Sequence, residues 1–468
     1  MKIVLADPPD IKTPWLIANH PNLGILYLSA YLREKIENAD IYYLDTHLNL
    51  RRHLQHVEEI RPDVYGVSFS SMRVEETRTV ISAVKEKFPS LTVVCGGQHP
   101  TIAPKEVLNE MPADICVIGE GEKTLTEVIE AICLGKRKLQ DIQGIAFRNN
   151  GRIISNPKRS LIKNLDSIPF PAWDLVDFND YIGNYQYKAT PSTVMIASRG
   201  CPYNCIFCSN PVWKNNKPWV RLRSPENIAQ EVAFLYEMGI REISIRSDQF
   251  NVRLDWCIDV CREIKRLGHK DLYFQANFRA HPFSEELACE MAASNFWLIQ
   301  LGIESCNQRV LNGIKKKITI EQIVTTCEIA KKYNIKVYAY IMIYNAWEED
   351  GRLCYETPEE VDNTLSFVRD LRSKGLLNYI SFSTTTPLRG SCLYDIAKRH
   401  NILKKNDDVK DMSAFRMVLP NISKREMKKS RLKGMLIQLY FIMRSPGSSR
   451  ADWRKIVFKI KSLIKSIF

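Results

Sequence analysis

The sequence predicts an α/β protein made of two successive stretches of alternating strands and helices, followed by a basic helical tail. In each stretch, short apolar runs of strand length end at Gly, Pro, Ser or Asp, and segments with helical spacing separate them. Such alternation is typical of parallel sheets covered by helices. We expect a first domain at 1–150, a linker at 151–190, a second domain at 191–400 and a helical, basic C-terminal extension at 401–468.

Composition places the chain among ordinary globular proteins. Of its 468 residues, 45% are hydrophobic and 25% are charged, and no segment is a convincing membrane span. The N-terminus lacks the long apolar core of a signal peptide. The 13 cysteines are therefore interpreted as reduced thiols of a cytoplasmic protein rather than as disulfides.

The net charge of +13 is concentrated near the C-terminus. Residues 424–468 contain thirteen Lys and Arg but two Asp and Glu, so the rest of the chain is nearly neutral. A near-neutral body argues against a nucleic-acid binding module, because phosphate binding needs basic grooves. Residues 454–468 have the spacing of a basic amphipathic helix. Two interpretations of this pattern are equally favoured: residues 450–468 contact a membrane surface, or they pack against the rest of the protein.

Five strands are expected in the first domain, with a helical pattern at Leu23–Leu32 after the first. The strands are Lys2–Ala6, Ile41–Leu44, Asp63–Phe69, Thr92–Cys95 and Asp114–Ile118. Their alternation with helical patterns predicts a doubly wound, Rossmann-like parallel sheet that contacts ligands at the carboxyl ends of its strands.

The second domain repeats the alternation with six strands. They are Ser192–Ser198, Glu242–Ile245, Tyr273–Asn277, Trp297–Gly302, Lys336–Ile341 and Ile380–Phe382. Four polar residues follow three of these strands, namely Ser247, Asp248, Arg279 and Glu304. Because α/β barrels keep their chemistry at strand carboxyl ends, these residues are site candidates, with helix caps or ion pairs as the structural alternative.

A loop of three cysteines follows the first strand of this second stretch. Cys201, Cys205 and Cys208 have the spacing C-x3-C-x2-C. Thiolates suit iron–sulfur clusters, zinc or Cu(I), and tetrahedral zinc needs a fourth ligand that the neighbourhood lacks. Three ligands fit a four-iron cluster with one open iron. A redox pair, half a zinc site and chance burial of cysteines are the alternatives.

The strand, the Arg-Gly that follows it and the three-cysteine spacing resemble the radical S-adenosylmethionine (SAM) superfamily. The resemblance implies a partial (β/α)6 TIM-type barrel over 191–400 and a [4Fe–4S] cluster on Cys201, Cys205 and Cys208. It also implies that the open iron chelates SAM and that SAM is cleaved reductively to a 5′-deoxyadenosyl radical. Ser247 and Asp248 would meet the SAM amino group, Arg279 its carboxylate and Glu304 the ribose.

The first domain resembles the cobalamin-binding domain attached to many radical SAM enzymes. The matching loops follow strands or open a helix and supply the expected cobalamin contacts Ser68, Ser70, Gly96, Gly97, Gly119, Glu120 and Gly121. Glycine lets a backbone approach a bulky ligand closely. The histidine that many such domains offer to cobalt is displaced here: Asp45-Thr-His47 follows the second strand, so His47 is interpreted as a surface residue, with His20 as a speculative substitute.

A second departure concerns a loop: a longer segment at Tyr344–Tyr355 replaces the Gly-x-Pro-Gly-Glu-Thr loop of relatives. A methylthiotransferase is disfavoured, because Cys95, Cys116 and Cys133 are scattered and do not form a second cluster motif. The family resemblance implies methylation of an unactivated carbon in a small, lipid-like or tetrapyrrole-like substrate, with a flavodoxin or ferredoxin as electron donor. Radical cyclisation or rearrangement without methyl transfer is the alternative, and the sequence assigns no catalytic residue.

Overall fold

The computed structural model describes residues 1–9, 20–181, 187–214, 217–404 and 416–443. The chain divides into two units, Met1–Ile182 with Val212–Arg221, and Gly183–Pro211 with Leu222–Phe468. The part of the expected linker before Gly183 therefore groups with the first unit. The amphipathic pattern expected at 454–468 lies outside the described residues, as does the whole of 450–468.

The first unit is a seven-stranded sheet with helices between its parallel strands. Its elements are β1 Lys2–Ala6, α1 Leu23–Lys35, β2 Asp40–Leu44, α2 Leu50–Ile60, β3 Val64–Ser68, α3 Val74–Lys87, β4 Thr92–Gly96, α4 Gln98–Ile102, α5 Pro104–Glu110, β5 Ile115–Val117, α6 Gly121–Ile132, β6 Ile145–Asn149 and β7 Arg152–Ser155. The strand order is β2-β1-β3-β4-β5-β6-β7, and β1 to β5 pair in parallel. The predicted doubly wound sheet is confirmed.

Alternation along the strands explains why helices cover both faces of this sheet. In β4, Val93 and Cys95 pack into one hydrophobic cluster, and the intervening Val94 packs into the other. Successive strand residues point to opposite faces, so a continuously apolar strand must be buried on both sides. The three residues are almost fully buried.

A β-hairpin at the edge of this sheet was not expected from the sequence. β6 pairs antiparallel with β5 and with β7. The turn between β6 and β7 places Asn150 and Gly151 at positive φ. Asn-Gly is the preferred pair for a two-residue hairpin turn, so the signal is present in the sequence.

The second unit is built on six parallel strands. Its elements, with the short strand β10 at its boundary, are β8 Ser192–Met195, β9 Ser198–Arg199, β10 Arg221–Leu222, α7 Pro225–Glu237, β11 Glu242–Ile245, α8 Leu254–Arg266, β12 Tyr273–Phe278, α9 Glu285–Ala293, β13 Phe296–Glu304, α10 Gln308–Gly313, α11 Ile320–Lys332, β14 Lys336–Ile343, β15 Ala346–Glu349, β16 Arg352–Tyr355, α12 Pro358–Ser373, β17 Tyr379–Thr384, α13 Cys392–Arg399 and α14 Lys424–Met443.

The six-stranded sheet has the order β17-β14-β13-β12-β11-β8, with every pair parallel. Sequential strands lie side by side with a helix in each connection, which is the arrangement of a half-barrel. The predicted partial (β/α)6 barrel is confirmed. Its first strand is shorter than expected, since β8 ends at Met195.

The segment Tyr344–Tyr355, expected as a longer loop, contains the antiparallel hairpin β15–β16. Its turn has Asp350 and Gly351 at positive φ, which is the Asp-Gly version of the same two-residue turn. Trp347 on this hairpin is buried, and a side chain at Gly313 would overlap its ring. Within the described residues, no helix combines the length and the apolar character that a membrane span requires.

Candidate functional site

The three-cysteine loop is anchored through the residues between its cysteines. Ile206 donates its backbone N–H to the Ile314 carbonyl (3.1 Å) and accepts from the Leu393 N–H (2.8 Å). Ile206 is buried, and Phe207 packs against the hydrophobic cluster that includes Leu393. Apolar residues thus anchor the loop to the rest of the unit, and the thiols of Cys201, Cys205 and Cys208 remain partly exposed.

Asp248 ties the two ends of this loop together. One carboxylate oxygen accepts the Gly200 N–H (2.8 Å), and the other accepts from the Asn210 side-chain amide (2.8 Å). Ser247 adds a third tie, because its hydroxyl accepts the Ser198 N–H (3.1 Å). The two residues expected to meet the SAM amino group therefore both bond to the segment that carries the cysteines.

Arg279 lies beside the loop with part of its hydrogen-bonding capacity unused. Its Nη1 donates to the Cys205 Sγ (3.9 Å), and its guanidinium carbon lies 3.7 Å from the centroid of the Tyr203 ring. Arg279 is only 5% exposed, and its Nε and Nη2 have no hydrogen-bond partner among the described residues. A buried cation with open donors fits an anionic ligand, because leaving such donors unsatisfied is costly.

A buried asparagine fixes the position of Arg279. The Asn251 side chain accepts the Arg279 N–H (3.0 Å) and donates to the Arg279 carbonyl (2.8 Å) and to the Pro282 carbonyl (2.6 Å). Asn251 was not among the site residues predicted from the sequence. Its position could have indicated a role, because it lies three residues after Asp248 in a segment that follows a strand.

Glu304 is engaged in a buried ion pair. Its Oε1 lies 2.7 Å from the Lys316 Nζ, and both side chains are almost completely buried. Glu304 has φ of 66° at an irregularity in the pairing of β13 with β14, and a side chain at Gly302 would meet both charged groups at 2.7 Å. The ion-pair alternative considered for Glu304 is thus present, through a lysine that the sequence analysis missed.

The donor set of the cysteine loop consists of soft sulfur atoms, which suit iron–sulfur clusters, zinc or Cu(I). In the part of the chain that the structure describes, no three His, Cys, Asp or Glu side chains are placed to share one metal ion. A four-iron cluster does not require this, since each cysteine binds a different iron. Burial raises the pKa of the Cys208 thiol to about 11, so a metal must displace its proton.

The strand ends of the first unit offer open backbone rather than side chains. A Cβ placed on Gly96 or on Gly119 would meet no atom of the described residues within 4 Å. At Gly97, with φ of 94°, a Cβ would lie 2.8 Å from the Phe69 carbonyl oxygen and 2.9 Å from the Ser68 Oγ. Gly97 is thus required by the fold, and Gly96 and Gly119 leave room for a bulky ligand.

The other expected cobalamin contacts have structural partners. Glu120 bonds to Arg221 (2.7 Å) and accepts the Ile162 N–H (2.9 Å). The Ser70 hydroxyl accepts the Met72 N–H (3.4 Å) at the start of a short helical turn. A side chain at Gly121 would press on Leu28 of α1, so that glycine serves the packing of α6 against α1.

A pair of carboxylates at the ends of β1 and β2 was not predicted from the sequence. The Tyr43 hydroxyl lies 2.8 Å from Asp7 and 2.9 Å from Asp45, but it has one proton to donate. Burial raises the pKa of Asp7 to about 6, and the neighbouring Asp45 charge adds to the effect. His47 lies nearby and is exposed, as expected of a surface residue, with its ring edge-to-face against Tyr181 (4.9 Å).

Two family models match the chain in the order of the two units. The B12 binding domain matches residues 18–129, and the radical SAM superfamily matches residues 195–352. An uncharacterized methyltransferase of Pyrococcus horikoshii is 32% identical over 407 residues, which is 86% of this chain and 84% of that protein. The chain belongs to the radical SAM superfamily, in the group with a B12-binding domain. It is therefore an enzyme chain whose cofactors are cobalamin, a [4Fe–4S] cluster and SAM.

Other radical SAM relatives differ in the reaction that their names describe. The anaerobic magnesium-protoporphyrin IX monomethyl ester cyclase of Rubrivivax gelatinosus is 28% identical over 76% of this chain and 63% of its own length. The solved radical SAM methyltransferase TsrM from Kitasatospora setae aligns with a TM-score of 0.72 at 16% identity, covering 99% of both chains. At that identity, the structural likeness establishes the fold.

Proposed function

We propose that this radical SAM enzyme is a cobalamin-dependent methyltransferase that methylates an unactivated carbon. The observation that carries the proposal is the cysteine loop, which is fixed at both ends by Asp248 and lies beside the buried, partly unsatisfied cation of Arg279. The Pyrococcus relative that matches most of this chain is also named as a methyltransferase. Bound cofactors supply the radical and the methyl carrier, and the protein positions them and excludes water.

In this proposal, Cys201, Cys205 and Cys208 hold the cluster, and the two open donors of Arg279 bind the SAM carboxylate. Bidentate pairing of a guanidinium with a carboxylate is strong and directional, and burial strengthens it. Glu304, which is held by Lys316, would face the ribose. Ser247 and Asp248 keep the loop in place next to the SAM amino group.

The first unit would hold cobalamin over the strand ends at Ser68, Ser70, Gly96, Gly97 and Gly119 to Gly121. The open space at Gly96 and Gly119 supports this part of the proposal. Reducing equivalents would come from a flavodoxin or ferredoxin. The substrate class is a small or lipid-like molecule, and no nucleic acid takes part.

The first experiment tests the cluster. We expect anaerobically reconstituted protein to bind about four irons and four sulfides and, once reduced, to cleave SAM to 5′-deoxyadenosine. Replacing Cys201, Cys205 and Cys208 together by alanine should abolish both, whereas Cys289→Ala, at an exposed cysteine on α9, should change neither. Zinc without sulfide in natively purified protein would overturn the assignment.

A second experiment separates methyl transfer from the alternative reaction. The similarity to a cyclase favours radical cyclisation as the second candidate function. Methyl transfer consumes one SAM as methyl donor and leaves S-adenosylhomocysteine, and radical formation consumes another and leaves methionine and 5′-deoxyadenosine. With hydroxocobalamin and reductant supplied, we expect about one S-adenosylhomocysteine per bound corrinoid before any substrate is added. 5′-Deoxyadenosine alone would favour the cyclase.

A further inference from the structure

The last described helix, α14, has one face that packs against the half-barrel. A side chain at Gly434 would overlap the Phe382 ring of β17, and the Gln438 side chain donates to the Ile380 carbonyl of the same strand (3.0 Å). On the same side, the Ser430 hydroxyl accepts from the Tyr344 hydroxyl (2.9 Å). These contacts fix the rotation of α14 and therefore fix which residues face outward.

The outward face of α14 is basic in its first half and apolar in its second. One stripe at successive three- and four-residue intervals consists of Arg425, Lys429, Leu432, Leu436, Tyr440 and Met443. Leu436, Tyr440 and Met443 are 52%, 41% and 68% exposed. Large apolar side chains at this exposure on consecutive turns form a patch rather than scattered single residues.

We propose that this stripe is a docking surface for an anionic lipid membrane. The basic residues of the first half would meet anionic headgroups, and the apolar residues of the second half would enter the boundary between headgroups and acyl chains. Tyr440 suits this boundary because its ring is apolar and its hydroxyl is polar. The surface is independent of the chemistry assigned to the cysteine loop.

The charge of the chain around the stripe supports a lipid partner over a protein one. Lys424 and Lys428 are also exposed on α14, and Glu426 is its one acidic residue. The sequence continues after Met443 with seven basic and one acidic residue in 444–468. An anionic surface complements this concentration of positive charge, and an apolar patch next to it adds affinity that salt does not screen.

A second exposed apolar pair provides a matched control. Phe234 and Met238, at the end of α7, are 46% and 36% exposed at a four-residue spacing. The exposed charges on that helix are Glu226 and Glu237, which an anionic bilayer repels. If exposed apolar side chains were sufficient, both α7 and α14 would bind vesicles. The proposal expects binding through α14 and none through α7.

The test uses the full chain and sedimentation with vesicles. We expect it to bind vesicles of phosphatidylcholine with phosphatidylglycerol and to remain in solution with pure phosphatidylcholine. Replacing Leu436, Tyr440 and Met443 together by serine should weaken binding about tenfold, and replacing Phe234 and Met238 by serine should leave it unchanged. The melting temperature of the first variant should equal that of the parent, since the three side chains are already exposed.

Three outcomes would overturn the proposal. Equal vesicle binding by the parent and the α14 variant would show that the stripe makes no lipid contact. Equal binding to neutral and anionic vesicles would remove the charge argument. A clearly lower melting temperature of the α14 variant would show that another part of the chain, such as 444–468, covers the stripe.

Discussion

The two units differ in the residues that they place at the strand ends where ligands are expected. In the radical SAM unit, charged side chains occupy the site, and most of them are already paired: Asp248 with the cysteine loop and Glu304 with Lys316. Arg279 differs, because two of its donors have no hydrogen-bond partner in the part of the chain that the structure describes. In the B12-binding unit, the corresponding positions are glycines, and Gly96 and Gly119 face open space.

The difference follows from what each ligand requires. A cluster and a charged amino acid group are recognised by a few atoms, so thiolates and a guanidinium must be placed accurately and supported by neighbours. A corrinoid is large, so it needs room and a close backbone approach more than it needs individual charges. The carboxylates expected from sequence as ligands are, in both units, held by other residues of the same unit.

The largest expected effect concerns the ion pair that holds Glu304. Lys316→Met leaves a buried carboxylate without its partner and should lower the free energy of unfolding by about 3 to 5 kcal/mol, measured by urea denaturation. Its neighbour Lys315 is exposed, so Lys315→Met should stay within about 0.5 kcal/mol of the parent. Equal stability of both variants would mean that buried Glu304 does not need its ion pair with Lys316, so that its carboxylate is available to a ligand.

The next prediction tests whether Arg279 is the residue left free for SAM. Arg279→Met should weaken SAM binding about 10- to 100-fold, measured by equilibrium dialysis, with iron content unchanged. Arg241 pairs with Asp271 (3.0 Å) at the opposite end of the strands, so Arg241→Met is the control. If SAM affinity stays the same and iron is lost, Arg279 supports the cluster rather than SAM.

A smaller effect is expected at Asp248, which distinguishes a loop clamp from a SAM ligand. In Asp248→Asn, an amide NH2 group replaces one of the two carboxylate oxygens. This donor then faces another donor, either the Gly200 N–H or the Asn210 side-chain amide, and one hydrogen bond is lost. A chelator should remove iron from Asp248→Asn about tenfold faster than from the parent. The control Asp255→Asn, at an exposed aspartate, should lose iron at the parent rate. Normal iron retention with weakened SAM binding would show that Asp248 contacts SAM.

The smallest effect is expected at the two adjacent glycines of the B12-binding unit. Gly96→Leu fills open space and should weaken hydroxocobalamin binding about fivefold with little change in stability. Gly97→Ala forces a Cβ against the Phe69 backbone at positive φ and should cost about 1 to 2 kcal/mol of stability. Unchanged cobalamin affinity in Gly96→Leu would move the binding surface away from β4.

The architecture of this protein could be predicted from local patterns in its amino-acid sequence. Apolar runs of strand length at regular intervals require burial, and their alternation with helices leaves parallel sheets as the simplest arrangement. The spacing of Cys201, Cys205 and Cys208 fixed the iron–sulfur prediction because ligands within one loop are local in the chain. Both missed hairpins also had local signals, Asn150-Gly151 and Asp350-Gly351.

Which polar residues already have a hydrogen-bond or ion-pair partner could be seen only in the folded protein. Lys316 lies twelve positions from Glu304 and Asn210 lies 38 positions from Asp248, and neither pairing has a sequence periodicity that could reveal it. The open donors of Arg279 and the space above Gly96 are likewise visible only after the chain is packed. The physical reason is that strand type and ligand chemistry are properties of short segments, whereas the availability of a charge depends on every group that folding brings beside it.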